Sequence, residues 1–137
     1  MFVFLSKIIP VVYTALKNIK IYRRLRGAVD VEQNSINGTP FLVLANNYDD
    51  TEKYQTDSFI YKLDNLTGKF FLYQTIVTSG AWDIEYSTIT DKHYLAVANR
   101  YDGASFQLNS VIYQWYGHQF VAFQNIPTNG ATSFNFF

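Results

Sequence analysis

The sequence Phe-Leu-Val-Leu-Ala-Asn at 41–46 returns as Tyr-Leu-Ala-Val-Ala-Asn at 94–99. Outward from this pair, further segments recur in the same order about 50 residues apart. Self-similarity at such a period is the signature of a repeat architecture. The other recurring pairs are 27–32 with 80–85, 57–63 with 109–115, and 70–76 with 120–126.

Each period contains four short β-forming runs separated by turn residues, which we call strands A to D. Strand B is nearly continuous apolar, which is typical of a strand covered on both faces, whereas C and D alternate. The pattern predicts a four-stranded antiparallel unit. In the second period the predicted strands cover 82–89, 93–99, 110–115 and 120–126.

These units predict an all-β fold made of β-propeller blades, about two blades and a stub. A ring normally needs four to eight blades, so we expect exposed edges and either further repeats in cis or self-association. The predicted division is an apolar and then basic leader at 1–26, blades at 27–76 and 77–126, and the start of a third repeat at 127–137.

Charge is divided unevenly along the chain although the formal net charge is zero. The first 27 residues hold six basic side chains and no acid, so the remaining 110 carry 5 bases against 11 acids. This acidic balance argues against nucleic acid as the partner of the folded part. The chain has no Cys, which excludes disulfides, thiolate catalysis and Cys-based zinc sites.

The leader begins with an apolar stretch that Lys7 and Pro10 interrupt. The stretch is too short for a spanning helix, so we expect no membrane insertion of the folded part. It is also an imperfect signal peptide, because no positive side chain precedes the apolar residues. A signal peptide, an anchor, an organelle presequence and an artefact of chain delimitation all remain open.

The recurring residues resemble the epitempin or EAR repeat, also called EPTP. The hallmark elements of that repeat are a Gly-Ala-x-Asp-x-Glu junction and segments of the form Phe/Tyr-Leu-Ala-Val-Ala-Asn, Ser-x-Ile-Tyr-x-Trp and Phe-x-x-Phe-Gln-x-Ile-Pro-Thr. They stand at 80–85, 94–99, 110–115 and 120–128, and less perfectly at 27–32, 41–46, 58–63 and 70–78. The departures are Val77 for Pro, Leu63 for Trp, and Thr132, Ser133 and Asn135 in the third junction.

The resemblance implies a seven-bladed ring in secreted or cell-surface proteins that bind other ectodomains, as in the leucine-rich glioma-inactivated and laminin-G-containing EAR proteins. We therefore expect a non-enzymatic extracellular protein–protein interaction module with a role in cell signalling or adhesion. Two alternatives stay open: a carbohydrate-binding or hydrolytic propeller, and a structural piece that completes a larger ring.

The long B–C loops, 47–56 and 100–108, are the predicted partner-binding surface, because aromatic side chains beside charges on loops are typical of interfaces. The first loop also carries Tyr54. The alternative is that the aromatics fold back onto the blades. The candidate residues are Tyr48, Asp49, Asp50, Glu52, Tyr101, Asp102 and Phe106.

Two N-glycosylation sequons begin at Asn37 and Asn65, in the predicted A–B and C–D turns. In an antiparallel meander these turns lie at the opposite end of the blade from the B–C loops. If the protein is secreted, sugars would cover one face of the disc and leave the B–C face open to a partner.

Asp30 and Asp83 occupy equivalent positions near the start of the innermost strands. Carboxylates that converge there would repel one another unless a hard cation joined them, so Ca²⁺ is the candidate cofactor. The alternative is that each Asp binds backbone N–H groups of its own D–A turn and holds Gly27 or Gly80 in place.

Catalytic residues are not predicted. His93 and His118 lie beside no nucleophile motif. Glu32 and Glu85 could pair with the neighbouring Asp residues as in glycosidases, but a pair that recurs in every blade indicates architecture.

Overall fold

The computed structural model describes residues 27–49 and 51–137. The predicted leader at 1–26 and the candidate Asp50 lie outside the described residues. In the part of the chain that is described, eight strands form two four-stranded antiparallel sheets of orders β1-β2-β3-β4 and β5-β6-β7-β8, which confirms the all-β, blade-like fold. The strands are β1 Ala28–Ile36, β2 Thr39–Asn46, β3 Gln55–Asp64, β4 Lys69–Ser79, β5 Ala81–Ile89, β6 Lys92–Asn99, β7 Gln107–Trp115 and β8 Phe120–Asn129.

Strands C and D are longer than the sequence pattern indicates. β3 and β7 begin at Gln55 and Gln107, so the B–C loops shorten to 47–54 and 100–106. β4 and β8 continue to Ser79 and Asn129. Polar and β-branched residues extend these strands because each extra residue is paired across the ladder, down to Gln55 with Ser79. Residues 130–137 follow β8 without forming a strand. In residues 27–49 and 51–137, the two sheets do not close a ring.

The innermost hairpins turn within two residues. Asn37 and Gly38 have φ of 52° and 81°, and Thr90 and Asp91 have φ of 48° and 61°. Two consecutive positive φ angles are the backbone of a type I′ turn, whose twist matches that of the paired strands. No helix among the described residues is long and apolar enough to cross a membrane.

The main core lies between the two sheets. The side chains of Phe41, Val43 and Ala45 on β2 belong to one buried cluster with those of Leu95 and Val97 on β6. Both middle strands are buried along most of their length, as the continuous apolar run predicts. The hydrophobic effect therefore holds one blade against the next as well as within itself.

Buried polar residues tie the end of strand B to strands C and D in each sheet. In the second sheet, Ser110 Oγ accepts the Asn99 N–H at 3.2 Å and lies 2.9 Å from Thr128 Oγ1. In the first sheet, Ser58 makes the matching contacts with Asn46 and Thr78. These bonds satisfy buried polar groups, which explains why Asn, Ser and Thr recur at fixed places in the repeat.

Candidate binding face

The base of each B–C loop lies against the glycine of the preceding junction. A Cβ at Gly27 would lie 1.8 Å from the Tyr48 carbonyl oxygen, and one at Gly80 would lie 2.2 Å from that of Tyr101. Backbone hydrogen bonds fix the same approach, with Arg100 N–H donating to the Gly80 carbonyl at 3.2 Å. Glycine is required because any side chain would occupy the space of the loop backbone.

Asp49 and Asp102 fold their own loops. Asp49 Oδ1 accepts the N–H groups of Thr51 at 2.8 Å and Lys53 at 3.0 Å. Asp102 Oδ1 accepts those of Ala104 at 2.8 Å and Ser105 at 2.7 Å. Hydrogen bonds to the ionised form lower the pKa of both carboxyl groups. The largest effect comes from the Thr51 hydroxyl for Asp49 and from the Ser105 N–H for Asp102. These two candidates therefore shape the loops and stay negatively charged.

Four aromatic rings form a continuous ladder across the two blades. Ring centroids lie 6.3 Å apart for Tyr48 and Tyr54, 4.8 Å for Tyr54 and Tyr101, and 4.6 Å for Tyr101 and Phe106. The first two contacts are edge to face and the third is stacked, which are the favoured geometries of aromatic pairs. We call these four residues the aromatic ladder. It brings together three predicted binding residues.

Tyr54 is the member that the sequence did not single out. It lies one residue before β3 and joins the loop of the first blade to Tyr101 of the second. The signal that could identify it is its alignment with Phe106, since both residues end a B–C loop and both backbone carbonyls accept the N–H of the next junction glycine.

The ladder is neither fully buried nor fully free. Its three tyrosines are half-buried, whereas Phe106 is 46% exposed. The Arg100 guanidinium lies 4.4 Å from the Trp82 ring centroid and 5.8 Å from that of Phe106, within cation–π distance. The loop rings therefore contact one another, and part of the ladder, Phe106 above all, stays open to solvent.

A groove runs between the two B–C loops beside the ladder. Its volume is about 320 Å³. Glu52, a further candidate, is exposed with φ of 61°. The lining residues are Glu52, Lys53, Tyr54, Gln55, Asp102 and Gly103. The groove therefore brings the Tyr54 ring together with one acidic residue of each loop and with Lys53.

The inner carboxylates lie at the junction between blades. Asp30 Oδ2 accepts the Ile84 N–H at 3.1 Å, and Asp83 Oδ2 accepts the Phe134 N–H at 2.9 Å. Each Asp therefore binds a backbone N–H outside its own D–A turn. The Asp30 carboxylate thus binds β5, the first strand of the next repeat, and the Asp83 carboxylate binds the segment that follows β8. This contact satisfies N–H groups along an otherwise unpaired strand edge.

Burial and mutual repulsion perturb these acids. The pKa of Asp30 is raised to about 6, chiefly by burial and also by the nearby Asp83. The pKa of Glu32 is raised to about 7, chiefly by burial and also by the charge of Glu85. Ca²⁺ takes six to eight oxygen ligands. Within 27–49 and 51–137, no group of three or more His, Cys, Asp or Glu side chains could hold a metal.

Both sequon asparagines are exposed in turns at the end of the sheet opposite the B–C loops. Asn37 lies in the turn between β1 and β2, and Asn65 lies in the turn between β3 and β4. The meander order places these two turns together, because the loops after β2 and β6 leave from the other end.

Comparison with known proteins confirms the resemblance to the EAR repeat. Residues 69–115 match the EPTP domain family. The chain is 37% identical over 87 residues to a human thrombospondin-type laminin G domain and EAR repeat-containing protein, and 38% identical to the mouse protein of that name. In each case the match covers 63% of this chain and 13% of the relative, so the chain spans about an eighth of their length.

Proposed function

We propose that this chain, whose repeats are similar to those of EAR (EPTP) proteins, is a non-enzymatic interaction module that binds a protein ectodomain through its B–C face. The observation that carries the proposal is the aromatic ladder, which crosses the blade junction and leaves Phe106 46% exposed. Tyr and Phe rings held in place by neighbours provide large contact area at low entropic cost, which is typical of interface centres.

The proposed module acts outside the cell, secreted or at the cell surface, in adhesion or signalling. What supports this placement is the name of the relatives, which includes a laminin G domain. Glycans at Asn37 and Asn65 would cover the end of the disc opposite the ladder. Glycan mapping of protein secreted from mammalian cells tests this part, and a sugar on the B–C loops would contradict it.

A non-enzymatic role is supported by how the titratable groups are used. His93 Nδ1 lies 2.6 Å from the Tyr86 hydroxyl and 3.3 Å from Thr88 Oγ1, so this nitrogen is held in a local hydrogen-bond network. The carboxylates of Asp30 and Asp83 accept backbone N–H groups at the junction. These contacts are the same in kind as those that hold the fold together.

Binding can be tested with a panel of purified recombinant ectodomains. The change is Tyr48→Ala combined with Tyr101→Ala, which removes two rings of the ladder, and we expect loss of at least tenfold in affinity for any ectodomain that wild-type protein binds. Tyr116→Ala is the matched control, because Tyr116 is 53% exposed but lies in the turn between β7 and β8, at the other end of the blade. Equal loss in the control would contradict the proposal.

A structural role in a larger propeller has its own supporting observation. The Gln74 side chain clamps the backbone of Phe120 in the next blade, donating from Nε2 to the carbonyl at 2.8 Å and accepting its N–H at Oε1 at 2.9 Å. Gln124 occupies the equivalent position in β8 and is exposed. We propose that it offers the same clamp to a further EAR repeat in cis.

The cis clamp is testable in a longer chain that carries a third repeat. Gln124→Ala should lower the free energy of unfolding of that chain by about 1–2 kcal/mol, since it removes a two-bond contact to a backbone. The same substitution in the 137-residue chain is the control and should have almost no effect, because Gln124 is exposed there. Equal effects in both chains would contradict the clamp.

A further inference from the structure

The groove between the two B–C loops has an acidic side chain from each loop and one aromatic ring. Glu52 belongs to the first loop, Asp102 belongs to the second, and Tyr54 ends the first loop just before β3. The groove volume of about 320 Å³ lies at the low end of the range for small-ligand sites. It therefore suits one long side chain of a partner better than a folded element.

Both acids of the groove have carboxylate oxygens to offer. Asp102 uses Oδ1 for the N–H groups of Ala104 and Ser105, and its Oδ2 makes no hydrogen bond to any described residue. The bonds at Oδ1 lower the pKa of Asp102, so this carboxylate stays ionised. The Glu52 side chain is exposed and also has no hydrogen bond or ion pair within the described part of the chain. A donor that enters the groove can therefore reach both carboxylates.

The balance of charge at the groove favours a cation. Its lining holds two acids and one base, Lys53, which gives a net charge of −1. The Lys53 charge also acts on Asp49, whose pKa it helps to lower. Arg100, the other base of the loops, lies with its guanidinium 4.4 Å from the Trp82 ring centroid. An incoming positive charge is thus attracted more than it is repelled.

Comparison of the two repeats points to a cation beside Tyr54. Tyr54 and Phe106 are equivalent, since the carbonyl of each accepts the N–H of the next junction glycine. Phe106 has the Arg100 guanidinium of its own blade at 5.8 Å, within cation–π distance. The equivalent of Arg100 in the first blade is Asn47, which is uncharged and donates from Nδ2 to a backbone carbonyl of the second blade at 3.1 Å. None of the described residues places a cation against Tyr54.

We propose that the groove takes one arginine side chain of the partner ectodomain, with its guanidinium against the Tyr54 ring and paired with the carboxylates of Glu52 and Asp102. This inference rests on the proposed binding role of the B–C face and names the chemistry that the face recognises. A guanidinium is planar, always charged and has five N–H donors, so it can stack on a ring and bind two carboxylates at once. The arginine gives Tyr54 the cation that Arg100 gives Phe106.

Nuclear magnetic resonance of the isotope-labelled 137-residue chain tests the proposal, with N-acetyl-arginine amide as the probe. We expect saturable shifts of the backbone amides that line the groove, Gly103 above all, with a dissociation constant in the millimolar range. N-acetyl-citrulline amide is the matched control, because it has a similar shape without the charge. It should bind about tenfold more weakly, since it loses the cation–π and ion-pair contacts.

A pair of charge-neutralising variants locates the contact. Glu52→Gln should weaken binding of the arginine probe about threefold, the size expected for one exposed ion pair. Asp91→Asn is its control, because Asp91 is also an exposed acid with φ of 61° but lies in the turn between β5 and β6, at the other end of the blade. It should leave binding unchanged. Equal binding of the citrulline probe, shifts confined to residues outside the groove, or equal effects of the two variants would overturn the proposal.

Failure of the arginine site can be told apart from failure of the proposed function. If the arginine probe does not bind while Tyr48→Ala combined with Tyr101→Ala still abolishes ectodomain binding, the arginine site is wrong and the binding face stands. If the probe binds in the groove but no ectodomain of the panel binds the chain, the groove is a guanidinium site and the proposed ectodomain-binding role is wrong.

Discussion

Replacement of Gly80 by alanine should destabilise the chain through two separable effects. Gly80 has φ of 54°, in the left-handed region, where an L side chain costs about 1–2 kcal/mol. The added Cβ would also lie 2.2 Å from the Tyr101 carbonyl oxygen, which belongs to a loop backbone and cannot rotate away. Forcing such a shift costs about 1–3 kcal/mol, so we expect a total near 3 kcal/mol.

Gly117→Ala isolates the first effect. Gly117 also has a positive φ, 89°, but a Cβ there would meet nothing within 4 Å. Its replacement should therefore cost only the backbone term, about 1 kcal/mol. Urea unfolding followed by tryptophan fluorescence measures both variants. With a slope of about 2 kcal/mol per molar urea, the Gly80→Ala midpoint should lie about 1 M below that of the control.

Equal midpoints for the two alanine variants would refute the reasoning. They would mean that the loop that carries Tyr101 moves aside at no cost and that the close approach at Gly80 does not hold the B–C face in place. A larger loss in Gly80→Ala than in Gly117→Ala would instead link the junction glycine to the shape of the proposed binding surface. Partner binding measured on the folded fraction of this variant should then fall as well.

Gln74→Ala should lower the free energy of unfolding by about 1–2 kcal/mol, because it leaves the Phe120 backbone without two hydrogen bonds, whereas Gln124→Ala should change it little. Parallel urea titrations check this, and equal losses would contradict it. Stability should also fall as pH rises from about 4 to about 7. The pKa values of Asp30 and Glu32 are raised to about 6 and about 7 in the folded chain. Over this pH range the folded chain therefore holds protons that the unfolded chain has already released. Glu32→Gln should flatten this slope in urea titrations across pH 4–8, and an unchanged slope would contradict it.

The sequence predicts the blades well because each strand pattern is local. Alternation of side chains along β7 and continuous apolarity along β6 report on the two faces of one sheet. The recurrence of every run then fixes the order of the strands. Strand ends were predicted less well, since residues such as Gln55 join a strand through pairing with Ser79, which lies 24 positions along the chain, and local propensity does not report that partner.

The candidate site was predicted only in part because its contacts cross blades. Tyr48 and Tyr101 could be chosen as loop aromatics, but the ring that joins them belongs to Tyr54. Asp49 and Asp102 were chosen for their charge, and their spacing from Thr51 and Ser105 could have identified them as loop caps. The partner of Asp30 could not be inferred, since nothing in a single repeat says how the next one is placed.

Some recurring residues of this repeat act between sheets. Asp30 on β1 reaches Ile84 on β5, and Gln74 on β4 reaches Phe120 on β8. The matched segment 69–115 has the same character, because it begins with the outer strand of one sheet and ends with the third strand of the next. A unit defined by sequence similarity therefore straddles the blade junction.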